Sequence, residues 1–177
     1  MTTAPSADAP IHTRTCSSDV GPAPEGPHPG QCAWMAVGVL LRTATVDDTD
    51  LRDRELFDST LRWAVASPWT DGVGEWLVRA LYWAGWEMDW SGQEVSDEDV
   101  LEAAASVAYY PGVTPQHMAA VMGDARADPD APAFIPQGAV EMAAVATLTA
   151  VWLRDLTLDD EPQDELIDRC VAETSPV

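Results

Sequence analysis

The sequence predicts an all-α fold, a compact bundle of six or seven helices that follows a disordered N-terminal tail rich in proline and glycine. Three observations predict this fold. Apolar residues recur at helical spacing after the tail, helix start and stop signals separate these segments, and no segment alternates apolar and polar residues over the length of a strand. We expect residues 31–172 to form a single acidic helical domain, with tails at 1–30 and 173–177.

The predicted tail contains six prolines and three glycines within its thirty residues. These residues interrupt any periodicity, and few apolar side chains remain to be buried. Residues 1–10 also lack the basic flank and the apolar run of a secretory signal peptide. We therefore expect a disordered leader rather than a targeting segment.

Three helices are predicted in the first half of the domain. The first is the apolar run Cys32–Leu41. The second is Asp50–Ala66, which ends before Pro68 because a residue that precedes proline disfavours the helical region. The third begins at a capping residue, Asp71, and reaches about Trp86. Their predicted buried positions are Leu51, Phe57, Leu61 and Val65 in the second helix and Val73, Trp76, Leu77, Ala80, Leu81 and Ala84 in the third.

Two more helices are predicted from their start signals. Ser96 is followed three residues later by Asp99, a pattern similar to a capping box, ahead of an apolar periodic segment. Thr114 and Pro115 then place a hydroxyl cap before a proline at the first helical position, where the missing N–H costs nothing. We expect the helix that begins there to end near Gly123.

The last third of the domain is predicted to hold the centre of the bundle. Residues 124–137 form a loop, because prolines and aspartates recur through them. Gly138–Leu156 is the longest predicted helix and is apolar on most faces, so we expect it to be surrounded by the other helices. A short acidic helix, Pro162–Val171, ends the domain.

The charge of the chain is strongly unbalanced. It has 9 basic residues, all arginine, against 30 acidic residues, which gives a net charge of −21. A lysine-free, alanine-rich composition is typical of a high-GC bacterial genome, and acidic surfaces favour solubility. The alternative is that the acidic surface binds a basic protein partner or imitates the charge of a nucleic acid. Direct binding to nucleic acid or anionic lipid is excluded, because both require a basic face.

Membrane insertion and a disulfide framework are not predicted. The longest apolar stretch, Ala139–Leu153, contains a glutamate and two threonines and is too short to span a bilayer. Cys16, Cys32 and Cys170 form an odd set whose spacing matches no disulfide framework. We therefore expect a cytoplasmic protein that does not bind membranes.

Two His-x-x-x-Cys patterns in the tail form a candidate zinc site. His12 and Cys16 are one pair, and His28 and Cys32 are the other, with eleven residues between the pairs. Zinc takes four nitrogen or sulfur ligands in a tetrahedron, and two ligand pairs joined by a loop suit it. The alternative is a disordered tail in which Cys32 is the first buried residue of the following helix.

Cys32 is also a candidate nucleophile, with His117 as its base. A thiol in the first turn of a helix is activated by the helix dipole and by unpaired N–H groups. Residues 30–34, Gly-Gln-Cys-Ala-Trp, resemble the nucleophile segment of papain-like enzymes, although the second glycine of that family is missing. The resemblance implies a cysteine–histidine pair oriented by a third group, here Asp71 or Asp124. The alternative is that Cys32 is buried as an apolar residue.

Tryptophans recur every seven residues at Trp69, Trp76, Trp83 and Trp90, with Trp86 between the last two. The spacing places Trp76 and Trp83 on nearly the same side of a helix. Trp76, Trp83, Trp86 and Trp90 therefore form a candidate face for a flat ligand or a partner helix. The alternative is a core built on bulky residues, from which we expect Trp83 and Trp90 to be the most exposed.

Three functions from different classes remain open. The first is an acidic helical interaction or regulatory protein without enzymatic activity that binds a basic partner. The second is a small-molecule-binding protein or thiol enzyme with a tryptophan-lined pocket edged by Cys32 and His117. The third is a module with a structural zinc ion in the tail, which is compatible with the first.

Overall fold

The computed structural model describes residues 29–44, 51–90, 96–107, 110–127, 134–156 and 162–174. These residues form seven α-helices and contain no strand, which confirms the predicted all-α bundle. The helices are α1 (Pro29–Thr43), α2 (Leu51–Ala66), α3 (Thr70–Trp90), α4 (Asp97–Ala105), α5 (Pro115–Ala127), α6 (Ala139–Leu156) and α7 (Gln163–Thr174).

Helix α6 is the centre of the bundle, as its composition predicts. Every residue from Met142 to Leu153 is buried. Helix α3 packs along α6, and α1, α2, α4 and α7 also contact it. Burial of so many alanine and valine side chains keeps the neighbouring helix axes close, since small residues allow close approach.

The remaining helices pack on this central layer. Helix α1 contacts α2 and α3, and α7 lies across α1 and α3. Helix α4 packs against α5 and α6, while α5 also contacts α3. The buried side chains of all seven helices join in a single hydrophobic core. The short acidic α4 and α7 therefore lie on the outside of the bundle, each with one face against larger helices.

Four helices extend beyond their predicted limits, and one of them, α7, ends at Thr174 rather than Val171, so that residues 173 and 174 are helical and not part of a tail. Helix α1 begins at Pro29 rather than Cys32, because proline suits the first helical position. Helix α3 continues from Trp86 to Trp90, since no glycine or proline interrupts that segment. Helix α5 passes through Gly123 to Ala127. A glycine inside a helix costs about 1 kcal/mol, which is too little to end a helix that is held by its packing.

Several side chains lie on a different face from the one predicted. Val65 was expected to be buried, but it is 39% exposed. Trp83 was expected to be exposed, but it is 6% exposed, whereas Trp86 is 46% exposed. The period of the apolar pattern is right in these helices. The error lies in which edge of the apolar stripe meets a neighbour, which depends on how the helices pack together.

Two predicted start signals are confirmed, whereas Asp71, predicted to cap α3, lies inside that helix, which begins at Thr70. The Ser96 side chain accepts a hydrogen bond from the Asp99 backbone N–H, and the Asp99 carboxylate accepts one from the Ser96 N–H, so the capping box is complete. The Thr114 Oγ1 accepts a hydrogen bond from the His117 N–H at 3.1 Å at the start of α5. These contacts involve neighbouring residues only, so the sequence specifies them directly.

Two further expectations concern the ends of the chain and the membrane. Of the tail predicted at 1–30, only residues 29 and 30 are described, and they belong to α1; the rest of it and residues 175–177 lie outside the described residues. Among the helices that the structure describes, none has the length and apolar character needed to cross a bilayer.

Candidate functional site

The zinc and thiol hypotheses both depend on Cys32. This residue is the fourth of α1, is completely buried and is disulfide-bonded. A sulfur in a disulfide is neither a thiolate nucleophile nor a zinc ligand, so both hypotheses require a reduced form of the protein. His12, Cys16 and His28 lie outside the described residues. Within the part of the chain that is described, no three His, Cys, Asp or Glu residues are grouped to hold a metal ion.

Cys170 is a free thiol with a structural place in the core. It is completely buried on α7, and its sulfur lies 3.8 Å from the carbonyl oxygen of Ala80. Burial raises the pKa of the Cys170 thiol far above its ordinary value, with a smaller contribution from the charge of Glu173. The thiol therefore stays protonated and unreactive at neutral pH.

Trp76 and Trp83 each carry an arginine of the same chain on the ring face. The Arg79 guanidinium lies 4.7 Å from the Trp76 ring centroid, and its Nη2 donates to the Glu75 carboxylate at 2.7 Å. The Arg169 guanidinium lies 5.2 Å from the centroid of Trp83. Both contacts are cation–π interactions. One face of each ring is thus already occupied by an arginine of the chain itself.

Trp83 also attaches the last helix to the bundle. Its indole N–H donates to the Glu173 carboxylate at 2.8 Å, and Arg169 lies 3.5 Å from the Glu87 carboxylate. On the neighbouring helix, the Trp34 indole N–H donates to the Val171 carbonyl oxygen. Two of the chain's tryptophans therefore use their polar edge to hold α7, a use that buried indole rings commonly have.

The four tryptophans of the candidate face do not share one environment. Trp76 is half-buried and Trp83 is buried, whereas Trp86 is exposed. Trp90 is the last residue of α3, and its side chain lies outside the described part of the structure. The cleft that contains His117 is lined by none of these rings.

This cleft lies where α5 and α6 begin, and its volume is about 510 Å³. Its lining residues are Pro111, Gly112, Val113, His117, Gly138, Ala139, Val140 and Glu141. Clefts of this size accommodate a small ligand or a single side chain. Its walls are mostly apolar, and the His117 imidazole and the Glu141 carboxylate are its polar side chains.

A glycine turn shapes one wall of the cleft. The Val113 N–H donates to the Tyr110 carbonyl oxygen at 3.1 Å, with Pro111 and Gly112 at the two central positions. Gly112 has φ 82°, which together with the preceding proline gives a type II turn. The Tyr110 hydroxyl lies 3.1 Å from the Thr147 hydroxyl of α6 and hydrogen-bonds to it. The turn is therefore fixed to the central helix.

His117 is held from two sides. Its backbone N–H donates to the Thr114 hydroxyl that caps α5, and its ring meets the Phe134 ring edge to face, with centroids 5.1 Å apart at 87°. Glu141 is in the first turn of α6, where a negative charge complements the helix dipole. The position of His117 is thus set by the capped start of α5 and by Phe134, and Glu141 is placed at the cleft by the first turn of α6.

Most of the exposed acidic residues whose side chains the structure describes lie on α4 and α7. Glu98 and Glu102 on α4 and Asp164 and Glu165 on α7 are exposed and have no ion-pair partner within the described part of the chain. Helix α4 contains no basic residue, and the single arginine of α7 is Arg169, which lies over Trp83. Both helices therefore present negative charge to solvent.

Helix α2 differs from these two helices in its charge. It contains three exposed arginines, Arg52, Arg54 and Arg62, together with two exposed acidic residues, Glu55 and Asp58. Interspersed charges of both signs are typical of an ordinary soluble surface. Among the side chains that the structure describes, the negative excess is thus concentrated on some helices rather than spread evenly.

No family model matches the chain, and neither a curated protein nor a solved structure matches it. The cleft was not predicted from the sequence, although His117 was singled out as a candidate base. A histidine two residues after a Thr-Pro helix start and a glutamate in the first turn of the next helix were the available signals. Neither signal indicates that the starts of α5 and α6 lie beside the same cleft.

Proposed function

We propose that this protein is an acidic interaction protein that binds a basic protein partner through α4 and α7. The observation that supports the proposal is the set of exposed, unpaired carboxylates on these two helices, Glu98, Glu102, Asp164 and Glu165. Exposed carboxylates keep their hydration until a partner arrives, and like charges grouped on one helix attract a basic surface at long range.

The arrangement of charge also favours a protein partner over other ligands. Nucleic acid and anionic membranes require a basic face, and the exposed arginines of α2 alternate with Glu55 and Asp58. Rows of carboxylates resemble the phosphates of a nucleic acid in charge. A natural extension of the proposal is therefore that the partner is itself a nucleic-acid-binding protein whose basic site the acidic helices occupy.

Capture from cell extract followed by a salt titration tests the proposal. The immobilised protein should retain a basic protein at low ionic strength and release it as NaCl increases, because the attraction between the two surfaces is screened. With the purified partner, neutralising α4 (Glu98→Gln with Glu102→Gln) or α7 (Asp164→Asn with Glu165→Gln) should slow association by roughly tenfold at low salt.

The matched control neutralises the same number of charges on α2, with Glu55→Gln and Asp58→Asn. This variant should retain most of the association rate, because α2 carries arginines beside these carboxylates. Failure to retain any partner, a partner whose affinity does not depend on salt, or an equal loss in the α2 control would each contradict the proposal.

A second candidate function is binding of a small molecule, and the cleft beside His117 favours it. The thiol-enzyme form of this hypothesis is less well supported, because Cys32 is buried and disulfide-bonded and does not line that cleft. If both Cys32→Ser and His117→Ala abolished a measured activity, the thiol-enzyme hypothesis would be favoured over binding to a basic partner.

We also propose a cytoplasmic location, and the disulfide at Cys32 is the observation that opposes it. Disulfides persist in oxidising compartments and are rare in reducing ones. Rapid alkylation of thiols in intact cells, followed by mass analysis of the Cys32 peptide, decides between the cytoplasm and an oxidising compartment. A mainly reduced Cys32 supports the cytoplasm, and a mainly oxidised Cys32 contradicts it.

A further inference from the structure

The cleft beside His117 is open and mostly apolar, yet it contains a carboxylate. Val140 is 38% exposed at its edge, which is unusual for a large apolar side chain. Pro111 and Val113 add apolar surface, and Glu141 adds a partly buried negative charge. An occupant that matches both features must combine an aliphatic segment with a positive charge.

We infer that this cleft holds an arginine side chain of the basic partner, whose aliphatic stem packs on Val113 and Val140 and whose guanidinium pairs with Glu141. The inference rests on the proposed function, since it names the group by which the partner is anchored. Arginine fits better than lysine, because its guanidinium is planar, less strongly hydrated and able to donate two hydrogen bonds to one carboxylate.

The electrostatic balance of the cleft favours a cation. The N-terminus of α6 contributes about half of a positive charge, which opposes a cation. Glu141 carries a full negative charge in the same turn and outweighs it. The net charge of −21 on the chain adds a long-range field of the same sign as Glu141.

The position of the cleft connects it with the acidic surface. Helix α4 packs against α5 and α6, the two helices that form the cleft, and Tyr110 joins the intervening turn to α6. A partner attracted by the carboxylates of α4 is therefore brought to the edge of the cleft. Because the turn at Gly112 is closed by its own hydrogen bond and joined to α6 through Tyr110 and Thr147, the cleft needs little rearrangement to accept a side chain.

A pair of small probes of equal shape tests the inference. N-acetyl-arginine methylamide carries the charge, and N-acetyl-citrulline methylamide replaces the guanidinium with a neutral urea. In ¹⁵N–¹H NMR titrations, the arginine probe should shift the amide signals of Gly112, Val113 and Glu141 in a saturable way. The citrulline probe should bind more weakly, by up to about fivefold, which is the range of a partly exposed ion pair.

Two variants with the same change of charge complete the test. Glu141→Gln should remove the preference for arginine over citrulline, whereas Glu98→Gln on α4 should keep it. Val140→Ser should weaken both probes, because it removes apolar surface without disturbing the core. Thermal unfolding of each variant verifies that the fold is retained.

Three results would overturn the inference. Equal binding of the two probes indicates a neutral small-molecule site, and shifts spread over α4 and α7 indicate charge attraction without a pocket. No saturable shift at all shows that the cleft binds no arginine. The proposed function fails on a different result, namely that no salt-sensitive partner is retained. If a salt-sensitive partner is retained but Glu141→Gln leaves its affinity unchanged, only the arginine site in the cleft is contradicted.

Discussion

Two glycines of α3 decide how closely this helix approaches the centre of the bundle. A Cβ at Gly85 would lie 2.6 Å from a ring carbon of Trp152 on α6, and one at Gly74 would meet the backbone carbonyl oxygen of Pro136. Neither neighbour can move freely. Trp152 is buried, and the atom of Pro136 is a backbone oxygen of a buried residue, which no rotation of a side chain can move away. The absence of a side chain at these two positions is therefore a packing requirement.

Replacing Gly85 with alanine should destabilise the protein by about 1–3 kcal/mol, the usual cost of overpacking a core. Gly123 offers the matched control, since it is also inside a helix but has nothing within 4 Å of a built Cβ. Gly123→Ala should stabilise the protein by about 0.5–1 kcal/mol through helix propensity. Urea unfolding followed by circular dichroism measures both. The same sign for the two variants would show that the contact with Trp152 is absent.

At the scale of the element, the start of α4 is held by a reciprocal pair of side chains. The Asp99 carboxylate accepts hydrogen bonds from the Ser96 hydroxyl at 2.6 Å and from the Ser96 N–H at 2.8 Å. These bonds favour the charged carboxylate and hold the pKa of Asp99 below its ordinary value. A depressed pKa in the folded state stabilises the fold above the ordinary carboxyl pKa. That contribution is lost as the pH falls through the lower, folded-state pKa.

Ser96→Ala should therefore raise the pKa of Asp99 towards its ordinary value and increase fraying of α4. The pKa is measured from the Asp99 side-chain ¹³C shift as a function of pH, and fraying is measured by amide hydrogen exchange. Ser106→Ala is the control, because it removes a hydroxyl from the other end of the same helix, where Ser106 donates to the Ala103 carbonyl. An unchanged Asp99 titration in Ser96→Ala would show that the capping box does not form in solution.

The starts of α4 and α5 could be predicted from the sequence, whereas the start of α1, several helix ends and several buried faces could not. The capping box at Ser96 and the cap at Thr114 depend on contacts within three residues, so local patterns are sufficient. Trp83 and Trp86 are nearly equivalent in the apolar pattern of α3. The packing of α7, which places Glu173 beside the Trp83 indole, decides which of the two is buried. Sequence alone does not contain that long-range contact.

The same reasoning applies to the candidate site at the scale of the whole molecule. Its residues come from the turn at Pro111, the first turn of α5 and the first turn of α6, which are separated along the chain by up to thirty residues. His117 was predicted from the sequence as a candidate base. That Glu141 lies at the same cleft as His117 depends on how the starts of α5 and α6 are brought together in the fold. The acidic charge, in contrast, is evident from composition, and the fold adds where the described carboxylates lie, most of the exposed ones on α4 and α7.

This charge also has a consequence for stability. With 30 acidic and 9 basic residues, the folded chain holds like charges closer together than the unfolded chain does. The Debye length falls from about 30 Å at 0.01 M salt to about 10 Å at 0.1 M, so salt screens repulsion across the whole bundle. We expect NaCl in this range to raise the midpoint of thermal unfolding. Each kcal/mol by which screening lowers the repulsion in the folded state should raise that midpoint by roughly 2–4 °C.

A variant with fewer charges separates screening from a general effect of salt on protein stability. The variant with Glu98→Gln, Glu102→Gln, Asp164→Asn and Glu165→Gln should unfold at a higher temperature than the parent at 0.01 M salt and gain less on addition of NaCl, because less repulsion remains to be screened. Differential scanning calorimetry of both proteins measures this difference. If instead both gain equally, the carboxylates of α4 and α7 do not repel one another in the folded state. The same carboxylates would then also be too weakly coupled to attract a partner as a group, so the result bears on function as well as on stability.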